Sequence, residues 1–189
     1  VDSGGQYSFG TTDVTRTVSL ENKSDYIKEI YTRVLKGHIA VSNFPIKNKT
    51  TGSQVDRDAR RYLKKINLDY PHGTGHGVGY FLNVHEGPQS ISKNNRINLK
   101  NGMILSNEPG YYKKGSFGIR IENLVYIKNK KFQELTLAPI EKSLIKKDVL
   151  NINEIKWINQ YHNKVKKSLF PFMNVKEKID LIKACSPIK

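Results

Sequence analysis

Cysteine and long apolar runs are both scarce in this sequence. A single cysteine, Cys185, stands near the end of the 189 residues, which excludes an internal disulfide framework and favours a reducing compartment. No run of about eighteen apolar residues could span a membrane, and the first residues lack the apolar block of a signal peptide. We therefore expect a cytoplasmic globular protein without a membrane partner.

Acidic residues are also few: 17 Asp and Glu stand against 32 Lys and Arg, which gives a formal net charge of +15. Clustered cations bind nucleic acid by displacing counterions from its phosphates. Here the lysines are spread among asparagines along the whole chain, as in Lys47-Asn-Lys49, which is typical of a solvated surface. We expect no nucleic-acid partner.

Hydrophobic periodicity predicts one domain of mixed helices and strands over residues 1–189, without an internal repeat. Helices are expected over residues 24–41, 53–67, 153–169 and 175–184. Strands are expected over residues 1–7, 13–18, 103–107, 117–127 and 132–137. His38 lies on the first helix and is expected to be a packed or partly exposed side chain rather than a metal ligand.

The segment His72-Gly-Thr-Gly-His76-Gly-Val-Gly79 contains four glycines in eight residues. Each glycine costs a helix about 1 kcal/mol relative to alanine, so the spacing predicts a tight loop or strand end. A backbone without Cβ atoms can approach a ligand closely, and histidines supply nitrogen donors or carry protons near neutral pH. His85 follows shortly after. The segment is therefore a candidate functional site.

Four carboxylates stand beside strand-forming residues and glycine turns: Asp2, Asp13, Glu108 and Glu122. A hairpin would bring Asp2 and Asp13 together, and two such carboxylates would not both ionise without a cation between them. The alternative is that one of them caps a turn and the other is solvated. Arg120 and Glu122 project to the same side of their predicted strand, which indicates either a salt-bridged edge or a functional site.

Together with a histidine, these carboxylates form an oxygen-rich donor set. Such a set suits a hard or borderline divalent ion, manganese above all, with zinc or cobalt as alternatives, and it does not suit a closed thiolate zinc site. Five protein ligands, four of them anionic, exceed the need of one ion. Two ions about 3.5–4 Å apart, bridged by carboxylates and a water, would use them all.

Six motifs follow one another along the chain: Asp2-Ser-Gly-Gly-Gln-Tyr7, Gly10-Thr-Thr-Asp-Val-Thr-Arg-Thr17, the histidine segment 72–79, Leu82-Asn-Val-His-Glu-Gly-Pro88, Asn107-Glu-Pro-Gly-Tyr-Tyr112 and Gly118-Ile-Arg-Ile-Glu-Asn123. This set resembles that of aminopeptidase P, the Xaa-Pro aminopeptidases of the pita-bread metallopeptidase family, and is most similar to the long cytosolic type. The resemblance implies an α+β fold, in which a curved antiparallel sheet is flanked by helices.

The resemblance also implies that this chain is the C-terminal part of a catalytic domain. Family members carry the first part of that domain, usually two further domains and one more active-site histidine upstream of the first motif. Those segments are absent from this chain, and any signal for an additional organelle would lie in them. The upstream segment of the same protein is thus an expected partner.

Ligand roles follow from the resemblance at matching positions. Asp2 would bind one divalent ion. His76 and Glu108 would bind the other. Asp13 and Glu122 would bridge the two ions, which would most simply be Mn²⁺, with Zn²⁺ or Co²⁺ as alternatives. No other cofactor is implied.

The remaining site residues are assigned in the same way. His72 and His85 would be catalytic residues on the substrate side, where they position the scissile amide and move protons. Arg120 and Tyr112 would hold Asp2 in place, because ligating carboxylates need groups that orient them.

The implied activity is hydrolysis of the first peptide bond of a peptide whose second residue is proline, with a metal-bridging water or hydroxide as the nucleophile. A homodimer is implied too, with the aromatic-bearing C-terminal helix as a possible contact. The alternatives are a pita-bread module that only binds, and a prolidase-type dipeptidase. Prolidase and methionine aminopeptidase share the ligand pattern but lack the His85-Glu-Gly-Pro88 context.

Overall fold

The computed structural model describes residues 1–81 and 83–189, so Leu82, the first residue of the fourth motif, lies outside the described residues. The strands are β1 Asp2–Tyr7, β2 Gly10–Thr15, β3 Gly75–His76, β4 Ser90–Ile91, β5 Ile104–Asn107, β6 Gly110–Lys113, β7 Phe117–Arg120, β8 Asn123–Lys128 and β9 Lys131–Glu134. The helices are α1 Asp25–Ser42, α2 Gly52–Lys64, α3 Ile152–Leu169 and α4 Val175–Ala184, with short 3-10 turns at Lys147–Val149 and Phe170–Phe172.

The paired strands of the described chain are antiparallel and form four small sheets, in the orders β1-β2, β3-β4, β5-β8-β9 and β6-β7. In the first sheet Asp2 pairs with Thr15 and Gly4 pairs with Asp13. Because side chains alternate between the faces of a strand, Asp2, Asp13 and Thr15 share one face. Gly4 has no side chain to fill the space in front of Asp13.

The described residues fall into two compact units, and one of the three boundaries between them along the chain lies within α1. The first unit comprises Val1–Thr17 and Arg33–Thr136, and the second comprises Val18–Thr32 and Leu137–Lys189. The six motifs and every predicted site residue belong to the first unit. No helix in the described part of the chain is both long enough and apolar enough to cross a membrane.

The core of the first unit joins the apolar faces of α1 and α2 to the sheet of β5, β8 and β9. Its fully or nearly fully buried members are Val41, Ile46, Val55, Ala59, Ile91, Leu99, Leu105, Val125, Ile127 and Phe132. Burial of each of the larger side chains contributes roughly 1.5–3 kcal/mol relative to exposure. This layer fixes the ends of β5 and β8, beside which Glu108 and Glu122 lie.

α3 and α4, in the second unit, both begin with a capping box. Asn151 accepts hydrogen bonds from the backbone N–H groups of Asn153 and Glu154, both at 3.0 Å, and the Glu154 carboxylate accepts from the Asn151 N–H at 2.8 Å. Asn174 caps α4 in the same way. These reciprocal caps satisfy backbone donors that the first helical turn leaves unpaired. They explain why the starts of α3 and α4 agree with the prediction to within one residue.

The predicted strand over residues 117–127 is wrong in one respect, because it consists of two strands in different sheets. β7 pairs with β6, whereas β8 pairs with β5 and β9. Between them the Ile121 N–H donates to the Pro109 carbonyl at 3.3 Å, and the Glu122 N–H donates to the Thr15 carbonyl at 3.0 Å. The backbone therefore changes partners at Ile121 and Glu122.

Several other elements differ from the prediction. α2 ends at Lys64 rather than at residue 67, and β9 ends at Glu134 rather than at residue 137. The turn of the first hairpin needs only Ser8 and Phe9, so the returning strand covers Gly10–Thr15 rather than residues 13–18. β6 has no counterpart in the prediction, because Glu108-Pro109-Gly110 has the composition of a turn. The histidine segment is a strand end, as expected, since β3 consists of Gly75 and His76 alone.

Candidate metal centre

The five predicted ligands lie together in the first unit: Asp13 lies within β2, and the other four lie at or directly beside strand ends. Three overlapping groups have ligand atoms that all lie within 4.8 Å of one another: Asp2, Asp13 and Glu122; His76, Glu108 and Glu122; and Asp13, His76 and His85. Glu122 belongs to the first two groups and Asp13 to the first and third. Each of these two carboxylates therefore lies between two sets of donors.

Backbone pairing brings these side chains together. Asn107 pairs with Asn123 across β5 and β8, so Glu108 and Glu122 leave that sheet at the same end. The Glu122 N–H donates to the Thr15 carbonyl at 3.0 Å, which joins this end to the hairpin that carries Asp2 and Asp13. Two sheets thus meet at one point through a main-chain hydrogen bond.

The histidine segment is attached to β5. The His76 N–H donates to the Ser106 hydroxyl at 2.9 Å, and that hydroxyl donates to Oε1 of Glu108 at 3.0 Å. A Cβ atom on Gly75 would lie 1.9 Å from the Ser106 carbonyl oxygen, and one on Gly77 would lie 2.0 Å from that of Glu86. At these two positions glycine is needed because one stretch of backbone lies close to another. The sequence instead predicts that the glycines let the backbone approach a ligand.

His76 lies between two carboxylates. Its Nε2 is 3.3 Å from Oδ2 of Asp13 and 3.6 Å from Oε1 of Glu108. Burial acts to lower the pKa of His76, but the hydrogen bonds to Asp13 and to the Gly77 carbonyl and the charge of Glu108 outweigh it and raise the pKa. The surroundings of this imidazole therefore attract a cation.

Glu122 is 2% exposed and is the most buried of the five. Burial, followed by the charges of Glu108, Asp13 and Asp2, raises its pKa to about 7, although the Thr15 hydroxyl donates to it at 2.6 Å. Burial and the charge of Asp13 also raise the pKa of Glu108. Carboxylates that repel one another in this way are stabilised by cations, so the donor set fits divalent ions.

Arg120 connects several members of the site. Its Nη2 donates to Oδ2 of Asp2, its Nη1 donates to the Tyr112 hydroxyl at 3.0 Å, and its Nε donates to the Thr15 hydroxyl at 3.0 Å. Because Thr15 also donates to Glu122, the side chains of Arg120 and Glu122 meet at one hydroxyl. Tyr112 is linked to Asp2 through Arg120.

Two residues of the first hairpin are missing from the sequence-based site. They are Thr15 and Arg16. Nη1 of Arg16 donates to the carbonyls of Thr15 and Glu122 at 2.9 and 2.6 Å, and Nη2 of Arg16 donates to Oδ1 of Asn123 at 2.7 Å. The signal that could have found Thr15 is the hairpin register, which places it opposite Asp2. Arg16 carries no comparable local signal.

His72 has a defined tautomer. Its Nδ1 lies 2.7 Å from the Gly73 carbonyl oxygen, which can only accept, so we infer that Nδ1 carries the proton. Nε2 then accepts from the Tyr112 hydroxyl at 2.9 Å. Burial, followed by the charges of Arg120 and Arg60, lowers the pKa of His72. The imidazole is therefore neutral near pH 7, with its lone pair at Nε2.

His85 is exposed and lies on the open side of the site. Its ring is 4.0 Å from that of His76, centroid to centroid, at an interplanar angle of 72°. A cavity of about 310 Å³ is lined by His72, Gly73, Gly75, His76, His85, Glu108 and Arg120. A cavity of this size accommodates the end of a small peptide. The two histidines predicted to face a substrate therefore line the same cavity as two predicted metal ligands.

His38 packs beneath the site and is fully buried. Its Nδ1 lies 3.1 Å from the Asn107 carbonyl and 3.2 Å from the Ile121 carbonyl, next to the residues that carry Glu108 and Glu122. Burial lowers the pKa of His38 to about 3, so the ring is neutral. The prediction that it is a packed side chain is confirmed.

Comparison with known proteins covers both units. Residues 1–129 match metallopeptidase family M24, and residues 129–188 match the C-terminal region of peptidase M24. Xaa-Pro aminopeptidase 1 of Dictyostelium discoideum is 46% identical over 186 residues, which are 92% of this chain and 30% of that protein. Aminopeptidase P2 of Arabidopsis thaliana is 47% identical over 187 residues, which are 92% of this chain and 26% of that protein.

Solved structures give the same picture. The X-prolyl aminopeptidase of Caenorhabditis elegans, described as a cytosolic enzyme with a di-nuclear active site, superposes with a TM-score of 0.91 at 42% identity, over 99% of this chain and 33% of that one. The prolidase of Pyrococcus furiosus superposes with a TM-score of 0.67 at 32% identity, over 72% of this chain and 40% of that one. The likeness confirms the predicted fold class. The chain spans about a third of the length of the curated relatives it matches.

Proposed function

Because this chain belongs to metallopeptidase family M24, we propose that it is the metal-binding catalytic part of an Xaa-Pro aminopeptidase. Such an enzyme would remove the first residue from peptides whose second residue is proline. The observation that carries the proposal is the convergence of two aspartates, two glutamates and a histidine in overlapping groups within 4.8 Å. We further propose that both units belong to one C-terminal catalytic portion of a longer protein.

The donor set would hold two divalent ions. Asp2 would bind one ion, His76 and Glu108 the other, and Asp13 and Glu122 would bridge them. Carboxylate oxygens with one imidazole suit manganese, with zinc or cobalt as alternatives. Bound ions of this kind act as Lewis acids and lower the pKa of a coordinated water to about 7, which makes it a nucleophile at neutral pH.

The chain's own residues would bind and orient the peptide in the 310 Å³ cavity. The carboxylates beside that cavity attract the ammonium group of a free N-terminus. His72 keeps its proton at Nδ1, so its Nε2 can accept a hydrogen bond from a substrate N–H group in place of the Tyr112 hydroxyl. His85 lies on the open side, where it can accept or deliver protons. Arg120 keeps Asp2 directed into the site.

Two alternatives share the fold. A prolidase-type dipeptidase would use the same ligands, but the curated relatives at 46–47% identity are Xaa-Pro aminopeptidases, and the X-prolyl aminopeptidase of Caenorhabditis elegans superposes on nearly all of this chain. A module that only binds would not need four carboxylates around one histidine. The resemblance to a cytosolic enzyme supports cytoplasmic location.

A homodimer is also proposed. A surface available for it is an exposed apolar stripe in the second unit, formed by Phe172 and, on α4, by Val175, Ile179 and Ile182. The aromatic residues of α3 are less available, because Tyr161 is 4% exposed. The proposed dimer contact therefore lies on α4 rather than on the aromatic-bearing helix.

The test uses the full-length protein loaded with manganese and a tripeptide of sequence Xaa-Pro-Yaa. We expect release of the first residue. We expect His76→Ala or Glu122→Ala to reduce turnover by more than about a hundredfold, because losing a metal ligand has a larger effect than losing a group that only hydrogen-bonds to a ligand. Asp58→Asn, on the surface of α2, is the control. Unchanged turnover in the ligand variants would refute the metal assignment, and cleavage of the dipeptide Xaa-Pro alone would identify a prolidase.

A further inference from the structure

The histidine segment is attached on its other side to α2. We infer that Asp56 and Arg60, a buried ion pair on that helix, are positioning residues that hold residues 70–74 so that His72 and Glu108 face the metal site. The inference rests on the proposed function. Neither residue figures in the sequence-based site, and neither touches the cavity where the peptide would bind.

The pair is buried and well aligned. Asp56 is 2% exposed and Arg60 is 8% exposed, and they stand one helical turn apart. Nε of Arg60 lies 3.0 and 2.9 Å from the two carboxylate oxygens of Asp56. Burying two charges is costly unless further hydrogen bonds satisfy them, so the remaining partners of this pair explain what it does.

The partners of Arg60 lie on the chain that enters the histidine segment. Nη1 donates to the Tyr70 carbonyl and to Oδ1 of Asp69, both at 2.8 Å, and Nη2 donates to the His72 carbonyl. The guanidinium also lies over the Tyr70 ring, 4.0 Å from its centroid. The rigid fork of one arginine therefore fixes two carbonyls, at residues 70 and 72.

Asp56 fixes the next point along the chain. The Thr74 hydroxyl donates to Oδ1 of Asp56 at 2.7 Å. Because this uses the single hydroxyl proton of Thr74, the Tyr70 hydroxyl is the donor in their 2.5 Å contact. The Thr74 carbonyl then accepts the Glu108 N–H at 2.8 Å. A continuous path of hydrogen bonds thus runs from Asp56 to the backbone of a proposed ligand.

The segment needs such support because glycines occupy residues 73 and 75. Glycine has the greatest backbone freedom of any residue, and it has no side chain that packing could hold. The contacts from α2 are made to main-chain carbonyls and to the fully buried Thr74. They can therefore set the backbone of His72 and Glu108 without touching substrate or ions.

The experiment compares variants of the full-length protein. Thr74→Val removes one hydroxyl, Thr74→Ser keeps it, and Asp56→Asn removes the charge at nearly constant shape. We expect Thr74→Val and Asp56→Asn to weaken manganese affinity, measured by calorimetry, and to lower kcat by about tenfold or more, with little change in KM. Thr74→Ser is expected to retain both values.

Matched controls come from the same helix. Asp58 and Arg61 form an ion pair at 2.9 Å whose side chains are 27% and 53% exposed, far more than those of Asp56 and Arg60. Asp58→Asn and Arg61→Gln are therefore expected to leave affinity and kcat unchanged.

The inference is overturned if the Thr74→Val and Asp56→Asn proteins bind manganese and turn over peptide like the wild type. If those proteins only had a lower melting temperature, the Asp56–Arg60 ion pair would serve stability alone. Should Asp56→Asn fail to fold, the two Thr74 variants decide by the same criteria. A wild-type protein that binds manganese but cleaves no Xaa-Pro peptide would refute the proposed function, and manganese affinity would still decide this inference.

Discussion

Among the proposed ligands, Glu122 is buried most deeply and interacts with several of the others. It accepts a hydrogen bond from Thr15, it belongs to two of the three donor groups, and it is nearly inaccessible to water. Its neighbours Asp2, Asp13 and Glu108 repel its negative charge. Without a cation the protein has to accommodate that repulsion by holding a proton on this carboxyl near neutral pH.

The sign of the resulting pH dependence follows from linkage. In the metal-free folded protein the pKa of Glu122 is about 7, against an ordinary value of 4.5. Between these two values the folded state binds a proton that the unfolded state has released, so this contribution to stability is present below the window and is lost as pH rises through it. The shift corresponds to about 3 kcal/mol.

We therefore expect Glu122→Gln to become more stable relative to the wild type as pH rises from about 5 to 8. The measurement is the difference in unfolding free energy between the two chelator-treated full-length proteins. Taking the difference between the two proteins cancels the contributions that other titrating groups make to the pH dependence of stability. One such group is His38, whose lowered pKa makes the folded state more stable as pH rises. Parallel pH profiles for the two proteins would contradict this account of Glu122.

Single residues differ in how far the sequence identifies them. Carboxylates and histidines beside glycine turns point to metal binding through their own chemistry, and the resemblance of motifs adds roles to them. Among the threonines of its strand, Thr15 is marked in sequence only by its register opposite Asp2, because its importance comes from Arg120 and Glu122, more than a hundred residues away. Asp56 and Arg60 look like an ordinary i,i+4 pair on a helix surface, and burial alone distinguishes them from Asp58 and Arg61.

Among the described strands, β3 is one of the two shortest, with two residues. It packs between β4 and β5, and Gly75 faces the Ser106 carbonyl so closely that a Cβ atom would lie 1.9 Å from that oxygen. Main-chain atoms cannot move aside as the end of a flexible side chain can. The position of His76 therefore depends on the absence of a side chain at its neighbour.

We expect Gly75→Ala to displace β3 from β5, at a cost of about 1–3 kcal/mol or more in unfolding free energy. Manganese affinity should fall as well, because His76 moves with the strand. Gly87→Ala is the control, since a Cβ atom there would meet nothing within 4 Å. Thermal denaturation and calorimetric titration of the full-length proteins measure the two effects. Wild-type affinity in Gly75→Ala would show that the close contact is not required.

Elements with strong local signals could be predicted well. The capping residues Asn151 and Asn174, followed by helical periodicity, define α3 and α4 closely. The break between β7 and β8 could not be predicted, because the alternation of Ile119, Arg120, Ile121 and Glu122 continues through it. A change of partner strand alone leaves no mark in the hydrophobic pattern.

At the scale of the whole molecule, charge is unevenly distributed. The chain has a net charge of +15, yet four of its 17 acidic residues converge on one site. Neither periodicity nor composition could reveal this convergence, which depends on pairing between distant strands. The fold class could be predicted through the resemblance of motifs, whereas the division into two compact units had no signal in the hydrophobic pattern.

Metal removal tests this arrangement as a whole. A ligand that binds the folded state alone stabilises it by about 2.7 kcal/mol when present at about a hundred times its dissociation constant. We therefore expect manganese to raise the melting temperature of the chelator-treated full-length protein by several degrees, and His76→Ala to reduce that increase. An equal increase in both proteins would place the stabilising ions elsewhere.

The wide spacing of the ligands along the chain has a consequence for biosynthesis. Asp2 leaves the ribosome long before Glu122, and the groups that contain either residue require partners from other strands. The metal site of a nascent chain is therefore incomplete until β5 and β8 have paired, and such non-local pairing is slow. Ion capture would follow translation, so the metal acquired would depend on which ions are available where maturation ends.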